Sequence, residues 1–293
     1  GNRVSAPKLI IQDELHLISG PHGSKAANFE TLVGELCRRE VDGASVMPKI
    51  VASTATISRA KEQCKELFGC SEDDVFQFPP SGIDGTDSFF AREDADGPGR
   101  RYVGIYAPNL SFASASIALY TALMWEPVLW EAVEEERDPY WTTVGYYGTI
   151  RELGQAATWA SADIPERLKH KRRGDSEHKR YLNRFIELTG RIDAAEVSSN
   201  LKQIEVKYPN AGCVDLCLAT NMISVGLDVS RLGLMVVAGQ PKSTSEYIQA
   251  TSRVGRSAAK GVVFVLYGTQ RPRDRSHYEN FKNFHDSLYC GVE

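Results

Sequence analysis

Two adjacent carboxylates, Asp13 and Glu14, follow the apolar run 8–12 in the stretch LIIQDELHLISGP. Ligands of open α/β sheets collect at the carboxyl ends of strands. An Asp placed there can hold Mg²⁺ through its water shell, because Mg²⁺ favours carboxylates together with phosphate oxygens. A Glu beside it can orient and deprotonate an attacking water. A helix start is the competing explanation, since acidic side chains favour the positive end of the helix dipole. The two residues alone do not choose between these.

Further stretches carry polar groups at strand ends. STAT (53–56) closes a second apolar run, and LATNMISVGLDV (218–229) sets Thr220 at a strand end with Gly226 and Asp228 beyond a short apolar turn. EYIQATSRVGR (246–256) spreads Gln249, Arg253 and Arg256 over about two helical turns. Arg253 and Arg256 at that spacing share a helix face and could clamp the negative charge of a transferred phosphoryl group. A surface ion-pair role is the ordinary alternative for such arginines.

The elements that must position these residues read as strands alternating with helices. KLIIQDEL and PKIVASTATI are strands, and residues 28–40 and 58–69 are helices. YWTTVGYYG, NRFIELTG, CVDLCLAT, LGLMVVAG and KGVVFVLYG are further apolar strands. Continuous apolar strands alternating with helices predict parallel sheets covered on both faces. Residues 78–100 are rich in Pro, Gly and Asp and predict turns and a linker. RRYVGIYAP is a short strand, and residues 112–137 form a helical stretch ending in the acidic run EAVEEERD, read as a solvated face. The basic stretch 167–180 lacks an apolar period and reads as a solvated loop. Trp125 and Trp130 share a helical stretch with Leu119, Leu123 and Leu129, so packing is favoured over base stacking.

The totals narrow the function classes. The chain has 293 residues, 42% hydrophobic and 25% charged, with a formal net charge of −4. That size accommodates two ordinary domains. It is no histone-like polycation, although a local groove on such a protein can still be basic. No apolar run approaches the roughly 18 residues of a membrane span, and no signal-peptide core stands at the start, so no membrane and a cytoplasmic setting are expected. The six cysteines form no CxxC pair; Cys213 and Cys217 lie in an apolar stretch and read as free core thiols, in keeping with a reducing compartment. His16 and His22 lack the spacing of an HExxH metal site.

DELH, STAT, ATNMISVGLDV and QATSRVGR occur in the order and approximate spacing of motifs II, III, V and VI of the superfamily 2 helicases, which this chain resembles over most of its length. The flanking stretches LIIQDELHLISGPHGS, FPPSGIDGTDSFFAR and DPYWTTVGYYGTIRELG resemble the DrmA-type helicases of DISARM anti-phage systems. The resemblance implies an α/β fold of parallel-sheet RecA-like domains. Residues 1–77 would be the C-terminal part of the first domain, 78–139 a linker and mainly helical insertion, and 140–293 a complete second domain. It implies ATP and Mg²⁺ as cofactors, with Asp13 holding Mg²⁺ through water and Glu14 as the catalytic base. His16 would couple the ATP site to Thr54, Ala55 and Thr56. Gly226 and Asp228 would border the nucleotide, Gln249 would lie near the γ-phosphate, and Arg253 and Arg256 would be arginine fingers. Thr149 and Arg151, Thr189 and Arg191, and Thr220 would contact the nucleic-acid backbone.

The resemblance further implies DNA as the track, with RNA as an alternative, and a partner protein from the same defence system. One part is missing. The phosphate-cradling loop G-x-x-x-x-G-K-[ST] is absent, and GPHGSK (20–25) has the wrong spacing and follows the carboxylates instead of preceding them. The expectation is therefore a fragment from motif II onward, inactive in ATP hydrolysis alone, with a natural protein that has lost ATP hydrolysis as the alternative. The rival is a non-catalytic module that binds DNA or a partner.

Overall fold

The computed structural model describes residues 5–18, 20–54, 59–78, 80, 89, 92, 97, 99–175, 177–220, 229–257 and 259–288. They divide into two compact units, one within residues 1–94 and one within 95–291.

The first unit runs β1 (Leu9–Gln12), a 3-10 turn (Leu15–Leu17), α1 (Gly20–Cys37), β2 (Arg39–Val41), β3 (Ala44–Val46), β4 (Lys49–Ala52) and α2 (Ala60–Phe68). β1 and β4 pair in parallel, with Leu9 opposite Lys49 and Gln12 opposite Ala52. β2 and β3 form an antiparallel hairpin in place of the expected helical end at 38–40. Its turn residues Asp42 and Gly43 take positive φ of 52° and 79°. A two-residue Asp-Gly loop of that hand matches the twist of the flanking strands. Leu9, Ile11 and Val51 are exposed, although the apolar strands predicted two covered faces.

The second unit runs β5 (Arg100–Tyr106), α3 (Phe112–Trp125), a 3-10 turn (Glu126–Leu129), α4 (Glu134–Trp141), β6 (Thr143–Tyr147), α5 (Ile150–Ser161), α6 (Asp163–Gly174), β7 (Phe185–Leu188), α7 (Ala194–Ile204), β8 (Leu216–Ala219), β9 (Leu234–Ala238), α8 (Thr244–Thr251), β10 (Gly261–Tyr267), α9 (Pro272–Glu279) and α10 (Phe281–Asp286). Its six strands make one sheet in the order β5-β10-β9-β6-β8-β7. Every pairing in it is parallel. β6, β8 and β9 are buried at every position, as strands covered on both faces must be.

Within the region expected as a linker and helical insertion, β5 pairs with β10 from Arg100 to Tyr106, and Tyr120, Met124 and Trp125 of α3 join the core formed with β6, α5 and α6. Two expectations are corrected. The stretch 112–129 also meets a membrane-span criterion of length and composition, at a mean hydropathy of 1.2 over 18 residues, but this segment belongs to that core. The basic stretch 167–180 is helical to Gly174 because Ile164 and Leu168 bury one face of α6.

Buried ion pairs hold the amino ends of the central strands. Arg231, just before β9, is 3.1 Å from Asp138 in α4 and donates to Thr142 Oγ1 (2.6 Å) and Ile204 O (2.7 Å). Asp138 also accepts from Tyr208 N at 2.6 Å, so this end of the acidic run is buried, while Glu131, Glu134, Glu135 and Glu136 are solvated. Arg180 pairs with Asp215 just before β8, and the other Asp215 oxygen takes the N–H groups of Asn183 and Arg184 at 2.9 and 3.0 Å. Its guanidinium lies 3.8 Å from the Trp141 ring centroid.

Removing one partner of a buried pair strands the other charge. Asp138→Ala should therefore destabilise the second unit by about 3–5 kcal/mol. Denaturant unfolding followed by tryptophan fluorescence checks this, and an unchanged midpoint refutes it.

Candidate functional site

In the first unit, the pairing of β1 with β4 continues past the strand ends. Ser53 N donates to Gln12 O (2.9 Å) and Leu15 N to Ser53 O (3.0 Å), which sets the DELH turn against the start of STAT. Asp13 Oδ1 accepts the Glu14 N–H at 2.9 Å and the Ser53 hydroxyl. The Ser53 hydroxyl, then the Glu14 amide, then nearby His16 hold the Asp13 pKa below the usual carboxylate value. Asp13 is thus an exposed, ionised carboxylate fixed at one oxygen.

Glu14 sits at φ 53°, ψ 47°, left-handed backbone that a non-glycine residue rarely adopts. Such strain persists where the surroundings over-determine it, often at functional sites. Here the Leu15–Leu17 turn supplies the constraint, anchored by Gln63 Nε2 of α2 on Leu15 O (3.1 Å) and Ile18 O (2.8 Å). His16 Nδ1 lies 3.4 Å from Glu14 Oε2 and 3.2 Å from Thr54 Oγ1. The structure therefore brings Asp13, Glu14, His16 and Thr54 together. Ala55 and Thr56 lie outside the described residues.

In the second unit, the candidate nucleic-acid residues gather at the carboxyl ends of the adjacent strands β6, β8 and β7. Thr149 follows β6 and caps α5, its hydroxyl accepting from Glu152 N at 3.2 Å, while Arg151 is exposed in the first turn. Thr189 follows β7 and is buried, and its hydroxyl accepts from Arg191 N at 3.3 Å; Arg191 itself is exposed. Thr220 follows β8, is buried, and donates its N–H to Leu188 O at 3.2 Å. Gly226 and Asp228 lie outside the described residues.

Gln249 is buried in α8. The helix ends at Thr251, so Arg253 and Arg256 lie in the following turn and do not share a helix face as their spacing predicted. That turn is held from several sides. Gly255, at φ 68°, donates its N–H to Leu232 O (2.8 Å), and a Cβ there would lie 2.5 Å from Gly261 Cα. Arg100, the first residue of β5, donates to Val254 O (2.8 Å) and Ser252 O (3.1 Å). Arg256 Nε donates to Ser252 O at 2.8 Å, and Arg253 is half-buried. Because α8 runs from the carboxyl end of β9 to the amino end of β10, these arginines occupy the sheet edge opposite Thr149, Thr189 and Thr220.

Sequence reasoning had not assigned roles to Ser53, Gln63 or Arg100. Ser53 lies inside the STAT stretch and was legible there; Gln63 and Arg100 act on backbone carbonyls 48 and 154 residues away and leave no local signal.

With this geometry in view, the kinship is informative. The Helicase conserved C-terminal domain family matches residues 169–258. The DISARM protein DrmA of Bacillus paralicheniformis is 44% identical over 98% of this chain, which spans 26% of that protein's length. Among solved structures, the DUF1998 helicase MrfA bound to DNA and AMPPNP matches 95% of this chain and 33% of its own, at 18% identity and a TM-score of 0.61. The Mycobacterium smegmatis helicase Lhr bound to ssDNA and AMP-PNP matches 98% of this chain and 31% of its own, at 14% identity and a TM-score of 0.59. The chain therefore has a RecA-like fold, carries a match to the Helicase conserved C-terminal domain, and is similar along nearly its whole length to DrmA.

Proposed function

We propose that this chain is the part of an ATP-driven DNA motor of phage defence that carries its catalytic carboxylates and its second RecA-like domain. The observation that carries the proposal is the joined DELH–STAT constellation, in which an ionised Asp13 and a strained Glu14 meet Ser53, His16 and Thr54. The DrmA kinship supports the defence setting, and the DNA held by MrfA and Lhr supports the track.

In this reading Glu14 takes the proton of the water that attacks the γ-phosphate. Asp13 fits a cation's water shell: it is exposed, ionised, and held at Oδ1 alone by Ser53 and the Glu14 amide. Mg²⁺, when bound, neutralises phosphate charge. Arg253 and Arg256 stabilise charge on the transferred phosphoryl group, and Gln249 lies near the γ-phosphate. His16, shared between Glu14 and Thr54, transmits the state of the nucleotide to the segment after β4. Thr149, Arg151, Thr189, Arg191 and Thr220 engage the DNA backbone without reading sequence.

The phosphate-binding loop comes from sequence outside these 293 residues, in keeping with the 26% of the DrmA relative that the chain spans. The exposed Leu9, Ile11 and Val51 of the β1–β4 pair are then covered by the remaining strands of the first RecA-like domain. The motor works in the cytoplasm alongside a partner protein of the same defence system.

ATP hydrolysis by the full-length protein should rise with single-stranded DNA. Glu14→Gln should lower it by about 10²–10⁴-fold, the usual contribution of a general base. The 293-residue chain alone should not hydrolyse ATP; turnover by it that Glu14→Gln abolishes would show that the phosphate loop is dispensable. DNA binding without any hydrolysis by the full-length protein would replace the motor with a binding module.

Ser53→Ala tests Asp13 separately. The needed carboxylate form is present above its depressed pKa and lost as pH falls through it. Removing the largest depressing contact raises that pKa. The acid limb of the pH–rate profile should therefore move to higher pH while the alkaline limb stays; an unmoved acid limb argues against the role of Asp13.

A further inference from the structure

The second unit has a cavity of about 770 Å³ bounded by the loop after β5, the start of α3, the middle of α5 and the loop after β10. Its volume lies within the roughly 300–1,000 Å³ of small-molecule sites. None of the motif residues lines it. We propose that this cavity holds an unpaired nucleobase of the strand whose phosphates follow the carboxyl edge of the sheet; the inference rests on the nucleic-acid reading above.

The first argument is position. The cavity opens where β5 and β10 end, the edge at which open parallel sheets bind ligands. One face of α5 leads into it. Arg151, Gln155 and Trp159 succeed one another four residues apart, so they form one stripe about 12 Å long. The stripe begins at a candidate phosphate contact and ends with an amide and an indole that line the cavity.

The second argument is chemistry. Trp159, half-buried, offers aromatic surface for stacking, and the amides of Gln155 and Gln270 offer paired donors and acceptors for a base edge. Arg271 is the charged residue in the lining, and Glu152 pairs with it while its guanidinium lies 5.4 Å from the Phe112 ring centroid. Its charge is compensated, so the cavity suits a neutral aromatic ligand better than a phosphate.

The third argument is rigidity. Asp274, buried, accepts the N–H groups of Gly268 (2.7 Å) and Gln240 (3.0 Å) and fixes the loop that carries Gln270 and Arg271. A preformed wall spares the ordering cost of binding.

The test compares binding of the 293-residue chain to oligothymidylate and to an abasic sugar–phosphate strand of equal length, by fluorescence anisotropy. The unmodified chain should prefer the strand with bases by about tenfold, the scale of one stacked base. Trp159→Leu and the double variant Gln155→Ala/Gln270→Ala should lose that preference while binding the abasic strand unchanged. The double variant alters exposed side chains and keeps the test valid should Trp159→Leu not fold. Arg151→Ala should weaken both strands alike. Equal binding of both strands by the unmodified chain, or a preference that survives the cavity variants, overturns the base site and leaves the nucleic-acid reading standing. Binding to neither strand overturns both.

Discussion

All six strands of the second sheet run parallel, so every loop that follows a strand leaves from one edge and every segment that enters a strand arrives at the other. The rest of that unit obeys this constraint. The entering edge is fastened by buried charge. Arg231 and Asp138, with Thr142, tie the approaches to β9 and β6, and Arg180 with Asp215 ties those to β7 and β8. Each charge there is matched by an opposite charge and by backbone groups, the condition under which buried ions are tolerated. The leaving edge carries no such fastening across β6, β8 and β7 among the interactions described; there the polar residues Thr149, Thr189 and Thr220 stand at the strand ends.

The division explains where Arg253 and Arg256 sit. A helix joining neighbouring parallel strands must return the chain to the entering edge, and α8 does so between β9 and β10. The arginines therefore belong with the fastened edge, and their turn is built like the rest of it, by long-range bonds to backbone carbonyls from Arg100 and by a glycine packed on Gly261. A loop that must present charge without drifting gains from such support, because misplacement by about 1 Å can cost catalysis as much as 10²-fold.

Much of this was legible in the sequence. The apolar runs that became β6, β8, β9 and β10 are continuous and bounded by polar or turn residues, and the four motif stretches marked where to look for a site. What failed did so for physical reasons. β5 was legible as a short strand, but its place in the second sheet was not, because its partner β10 lies about 160 residues away and no local pattern reports such a pairing. The hairpin at Asp42–Gly43 did have its signal, an Asp-Gly pair between short strands, but the preceding helical period was extended to residue 40, into its first strand. The arginine stripe was inferred from a helix taken to continue past Thr251, where the chain in fact turns through Gly255.

In the first unit, strand register does the work that edge assignment does in the second. Gln12 stands opposite Ala52, so the residues that follow each strand, Asp13 and Ser53, face one another by continuation of the same ladder. A slip of one residue would reverse the side-chain directions of the whole pair and separate the carboxylate from the hydroxyl that holds it. The His16–Thr54 contact is the next step of this registration, reached because Glu14 takes left-handed backbone and turns the chain back toward β4. The strain at Glu14 and the contact between the two stretches are thus one feature: a relaxed backbone at that position would keep the carboxylates but carry His16 away from Thr54.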